Sequence, residues 1–117
     1  MPNVPVPIQE SWQRHSVHVP ALLSPSSVLD FRRRLGLTQA QLGRMLGVHA
    51  MTVSKWERGT VAPTHYNLQQ LHLVELGSRG LDKTDYGRLH GWLALGLPVV
   101  ALAFLVDRGQ RRAKGAT

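Results

Sequence analysis

Between His49 and Arg58 the chain gathers side chains suited to one kind of chemistry. His49, Thr52, Ser54, Lys55 and Arg58 can donate hydrogen bonds, and Ala50 and Met51 offer short or flexible apolar contact. Donors on short stems, flanked by cations, suit phosphate oxygens and the acceptor-rich edges of bases. Other chemistries find less support. The acids are few and scattered, and Asp82 and Asp85 fall at an expected helix start, where unpaired N–H groups favour carboxylates. His15 and His18 are spaced HxxH without a third ligand, and His65 and His72 lie two helical turns apart. No nucleophile sits near a base in any recognisable pattern. No catalytic residue, metal site or cofactor is expected, and the chain is not read as an enzyme. The absence of cysteine excludes a disulfide framework, a thiolate zinc site and a cysteine nucleophile, and fits a reducing cytoplasm.

The stretch "LTQAQLGRMLGVHAMTVSKWERG" (37–59) has to position those donors. It reads as two short amphipathic helices, neither long enough to stand alone in water. Thr38 with Gln41 forms a capping-box pattern, Leu42, Met45 and Leu46 supply the apolar stripe, and Gly47 provides a sharp exit. The next helix runs roughly from His49 to Arg58 and stops at Gly59. Two stubs joined by a tight turn are stable only if packed on neighbours. Leu42 and Leu46, with Val53 and Trp56, are expected to bury against Leu29, Leu35, Leu68 and Leu71. With Val53 and Trp56 turned inward, the face left outside is His49, Ala50, Met51, Thr52, Ser54, Lys55 and Arg58, and it holds no acid. Such a helix can lie in a DNA major groove.

The flanking sequence supplies further helices. Ser24 and Pro25 punctuate the start of one that Gly36 ends. Leu68, Leu71, Val74 and Leu76 mark another, ending at Gly77. Residues 1–23 are proline-rich, with a short alternating piece at Ser16–Val19, and read as an extended arm. Pro2, Pro5 and Pro7 interrupt the few apolar residues at the N-terminus, so no secretory signal is expected.

"YGRLHGWLALGLPVVALAFLV" is far more apolar than anything before it, and Pro98 is expected to divide it into two helices. Its uncharged part, residues 91–106, falls short of the roughly 20 residues a bilayer span needs. A single span would also export Arg108, Arg111, Arg112 and Lys114, against the positive-inside tendency. Membrane contact is therefore the weaker expectation. The stronger is a homodimer interface, with Trp92, Leu93, Leu95, Val99, Leu102, Phe104 and Leu105 buried between protomers or folded back on the preceding helices. The basic end "DRGQRRAKG" either touches phosphates or solvates the terminus.

The formal charge of +7 is not spread evenly. Residues 31–60 carry a net +5 and residues 91–117 a net +3. A focused positive field fits a polyanion such as double-stranded DNA. Arg33 and Arg34 could serve it or merely form a solvated helix face.

The stretch "FRRRLGLTQAQLGRMLGVHAMTVSKWERG" (31–59) resembles the helix-turn-helix of the phage-repressor/Cro (Xre-type) family. The resemblance rests on Leu-Gly-Leu-Thr-Gln, then Leu-Gly-Val, then Val-Ser-x-Trp-Glu-x-Gly, and covers about residues 24–76. It implies an all-α, lambda-repressor-like helix-turn-helix domain over 24–77. This would lie between the arm (1–23) and an apolar C-terminal helical segment with a basic tail (78–117). It implies that Gln39 holds a backbone phosphate, that Ala50 and Met51 read bases with Lys55 a turn later, and that Arg32 and Glu57 form a structural ion pair. Ser54 joins the base-contact set; His49, Thr52, Arg44, Arg58 and Thr60 join the phosphate set. His49 departs from the family's usual small hydroxyl cap and caps less well. The expected function is a sequence-specific transcriptional regulator, a dimeric repressor in the cytoplasm. The alternative is the antitoxin of a toxin–antitoxin pair, holding a protein partner through residues 1–23 or 91–106.

Overall fold

Each helix but the last begins at a residue whose extended backbone turns the chain into the first helical turn. The computed structural model describes residues 24–115, and all regular structure among them is helical: α1 (Pro25–Arg34), α2 (Gln39–Leu46), α3 (Ala50–Glu57), α4 (His65–Gly77), α5 (Lys83–Ala94) and α6 (Pro98–Gly115). Ser24 accepts from Ser27 N at the start of α1, with Pro25 in the first turn. Thr38 and Gln41 close a reciprocal capping box on α2, each side chain accepting from the other's backbone N–H. Thr64 caps α4, and Asp82 with Asp85 repeats the box on α5. The expected arm, its alternating piece and the His15–His18 pair lie outside the described residues.

One apolar cluster joins all six helices. Val28, Phe31 and Leu35 enter from α1 and its end, Leu42, Met45 and Leu46 from α2, and Val53 and Trp56 from α3. Leu68, Leu71 and Val74 of α4, Leu89 of α5, and Ala101 and Leu105 of α6 complete it. The expectation for α1 needs correction: Leu29 is only half-buried, and Val28 and Phe31 fill the place assigned to it. Four and seven residues before Leu35, they lie on its side of the helix, whereas Leu29 is turned partly away. Leu76 is likewise only half-buried.

α4 ends at Gly77, as the sequence reading expected, and the left-handed turn that follows is made at Gly80, with φ 73°. A Cβ at Gly77 would overlap the carbonyl of Leu105, and one at Gly109 would overlap the carbonyl of Leu73. These two glycines let α4 and α6 approach backbone to backbone, and α6 also reaches α2 and α5.

Pro98 does divide the apolar segment, opening α6 after α5 has ended at Ala94. Of the seven residues assigned to an interface, Leu105 is fully buried within this chain. Trp92, Leu93, Leu102 and Phe104 pack against the core, while Leu95 and Val99 remain exposed. The Trp92 and Phe104 rings meet edge-on at 5.2 Å, and Arg108 lies 5.0 Å above Phe104. Arg108 also pairs with the buried Asp85 at 3.0 Å. The basic end is therefore no loose tail: as far as Gly115 it continues α6, held by Arg108 to Asp85 and by Arg112 donating to Arg79 O. Among the described residues no helix is long and apolar enough to cross a membrane.

Candidate nucleic-acid interface

The turn between α2 and α3 is built from two glycines with different tasks. Gly47 adopts φ 75°, the left-handed conformation that side chains disfavour. Gly43 is helical, but a Cβ there would stand 2.5 Å from Val48 O, so only glycine lets the chain fold back this tightly. Val48 N then donates to Gly43 O at 2.8 Å. The turn aims α3 across α2, with Val53 and Trp56 sealed in the core.

The opposite side of α3 faces outward. Met51 is 60% exposed and Lys55 is exposed, while Ala50, Thr52 and Ser54 are half-buried between them. His49 stands at the N-cap, exposed and without a side-chain capping bond. The one α3 N–H that a capping side chain would ordinarily satisfy thus gains nothing from its imidazole. Arg58 folds back along the helix, Nε donating to Ser54 O at 3.3 Å and Nη2 lying 4.0 Å from Met51 Sδ. Its guanidinium and the Met51 thioether are therefore neighbours on one surface. Arg44 is exposed on α2. Thr60 donates its hydroxyl hydrogen to Lys55 O at 3.2 Å, closing the end of α3.

Arg32 and Glu57 are joined by two hydrogen bonds, Nε to Oε2 at 2.6 Å and Nη2 to Oε1 at 2.9 Å. Their side chains are 13% and 5% exposed, and Arg32 Nη1 also donates to Leu37 O. The bidentate geometry locks the C-terminus of α3 to α1. Glu57 does one thing more, which sequence reasoning missed: its Oε1 also accepts from Gln39 Nε2 at 3.1 Å. That bond fixes the Gln39 carboxamide at the first position of α2 and leaves its second N–H to donate elsewhere. No local pattern marks a contact 18 residues apart across the turn. The ion pair implied by the resemblance, together with the place of Gln39 at the helix start, was the only available signal.

Arg33 and Arg34 have separate surroundings. Arg34 donates to Ser78 Oγ at 3.0 Å and approaches Glu75 at 3.7 Å, so it is committed to the α1–α4 junction. Glu57 is the sole acid of α3 and its carboxylate is spent on Arg32 and Gln39, so the outward side of α3 carries only neutral and cationic groups.

Residues 28–72 match the family model HTH_3, described as helix-turn-helix. No curated protein and no solved structure matches the chain. The match begins in α1 and ends in α4, spanning the capped α2, the two-glycine turn and the outward face of α3. Over these residues, 45 of the chain's 117, the match supports a helix-turn-helix domain of the phage-repressor/Cro (Xre-type) kind, and with it a DNA-binding transcription regulator.

Proposed function

We propose that the chain reads a specific DNA sequence through α3 and represses transcription in the cytoplasm as a dimer. The observation that carries this reading is the division of α3 into two sides. Val53 and Trp56 are buried, whereas Met51 and Lys55 project outward with no acid beside them. In this reading Ala50 and Met51 contact thymine methyls, Ser54 lies beside them, and Lys55 donates to guanine. Gln39, held by Glu57, donates to a backbone phosphate, and His49, Thr52, Arg44 and Arg58 flank it with further donors. Thr60 contributes by closing α3, since its hydroxyl hydrogen already serves Lys55 O.

One α3 covers a half-site, so two copies related by a two-fold axis are needed to read an operator of two half-sites about one helical turn apart. Exposed Leu95, Leu97 and Val100, at the corner between α5 and α6, support an apolar contact between copies.

Selection of bound duplexes from a random pool, with titration of the full chain against the selected and random duplexes, tests the reading. A consensus bound at least a hundredfold more tightly than random DNA is the expected result. Equal affinity for both would sink it.

A further inference from the structure

Sulfur in this chain is confined to three methionines, because there is no cysteine. Met1 lies outside the described residues, and Met45 is sealed in the core at 3% exposure. Met51 is the opposite case. It is the second residue of α3 and 60% exposed, on the side turned away from Val53 and Trp56. Its thioether also has a charged neighbour. Arg58, two helical turns on, folds back so that Nη2 lies 4.0 Å from Met51 Sδ while Nε donates to Ser54 O.

Hydrogen peroxide oxidises an exposed thioether in one two-electron step. The sulfur lone pair attacks one peroxide oxygen, the O–O bond breaks, and the other oxygen leaves with both protons as water. Sulfur is oxidised, peroxide is reduced, and the side chain becomes a polar, strongly accepting sulfoxide. We propose that Met51 is a peroxide-sensitive modification site, and that its sulfoxide, held by Arg58, switches off sequence reading by α3. The switch rests on the reading of α3 given above. Its first half is desolvation: a flexible apolar group suited to thymine methyls becomes one that must shed water to enter the same contact. Its second half is capture. The sulfoxide oxygen carries partial negative charge, and the neighbouring guanidinium donates to it, so Arg58 is withdrawn from the phosphate it would otherwise hold. The fold is spared, since Met51 is no part of the core. Methionine sulfoxide reductases reverse the step.

The test treats the full chain with hydrogen peroxide. Peptide mass spectrometry follows the added oxygen at each methionine, and titration follows the preference for a selected duplex over random DNA. Met51 should gain its oxygen at least tenfold faster than Met45, with the circular dichroism unchanged. The preference should fall at least tenfold and return when a methionine sulfoxide reductase is added. Met51→Leu, compared with itself before and after peroxide, should keep its own preference within twofold. Equal oxidation rates at Met51 and Met45, or a full preference with Met51 oxidised, overturn the proposal. An equal loss in Met51→Leu does so too, because the damage would then lie elsewhere. In Arg58→Ala, again compared with itself, the loss on oxidation should be severalfold smaller, and a loss as large as the parent's would remove Arg58 from the switch. The preference measured before any peroxide tests the reading of α3 by itself. Its absence defeats that reading, whereas its survival through oxidation of Met51 defeats only the switch, and the mass measurement decides the modification site in either case.

Discussion

At the scale of single residues, Glu57 joins the packing of the fold to the side chain proposed to hold a phosphate. Its carboxylate ties α1 to α3 through Arg32 and orients Gln39 at the start of α2. The two roles separate by substitution. Glu57→Ala leaves the Arg32 guanidinium nearly buried without its partner and should lower unfolding free energy by about 3–5 kcal/mol in denaturant titration. Gln39→Ala removes only a half-exposed carboxamide, so stability should stay within about 1 kcal/mol while affinity falls alike for all duplexes. If Lys55 reads a guanine, Lys55→Ala should instead relax preference at one base position by about 1–3 kcal/mol in competition binding. His72 adds a pH signature. Burial pushes its imidazole below the ordinary 6.5, Glu75 opposes this, and Arg79 adds to it. The unfolded chain therefore takes up a proton at higher pH than the folded one. His72 imposes no penalty well above pH 6.5, and stability is lost as pH falls through 6.5 towards the lower folded value. Subtracting the stability–pH profile of His72→Asn from that of the parent isolates this slope from the other histidines. A flat difference below pH 6.5 would contradict the assignment.

At the scale of elements, α4 and α6 fit because two side chains are missing. Alanine at Gly109 would drive a methyl group into the carbonyl of Leu73, and backbone cannot swing aside as a side chain can. Gly109→Ala should thus cost about 3 kcal/mol or more in thermal or chemical unfolding, although alanine is the better helix former. Alanine at Gly87, where no atom lies within 4 Å of the added Cβ, should leave stability equal or higher. This contrast also marks what the sequence could and could not reveal. Caps and turns act over three or four residues, so Ser24, Thr38 with Gln41, Gly47 and Pro98 were legible. The buried side of α3 followed from Val53 and Trp56 at helical spacing. A glycine that ends a helix and one that admits a neighbouring helix have the same local sequence, so the end of α4 at Gly77 was legible and its close approach to Leu105 was not. The destination of the apolar segment was illegible too, because a buried leucine obeys the same periodicity whether its cover is this chain or another. Only the fold separates Leu105, sealed at home, from Leu95, left outside.

At the scale of the whole molecule, the same core that supports α3 takes in Leu89, Ala101 and Leu105, so the C-terminal helices brace the helix-turn-helix. That makes large deletions a poor probe of assembly, since removing α6 would uncover the core of the domain that binds. A surface substitution is cleaner. Leu95 is 75% exposed, and its replacement should change unfolding free energy by no more than about 0.5 kcal/mol. If the α5–α6 corner joins two copies, Leu95→Asp brings two carboxylates together across the two-fold axis and desolvates them, driving the dimer apart. Sedimentation should then give a monomer of 13.0 kDa where the parent gives twice that mass. The affinity for an isolated half-site should be unchanged, because α3, Gln39 and their supports are untouched. Affinity for the two-half-site operator should fall at least tenfold, through loss of the tethered second contact. The slope of log affinity against log salt should flatten towards half its parental value as one set of phosphate contacts drops out. An unchanged mass with unchanged operator affinity would place the contact between copies elsewhere on the surface, and would leave Leu95, Leu97 and Val100 without the role assigned to them here.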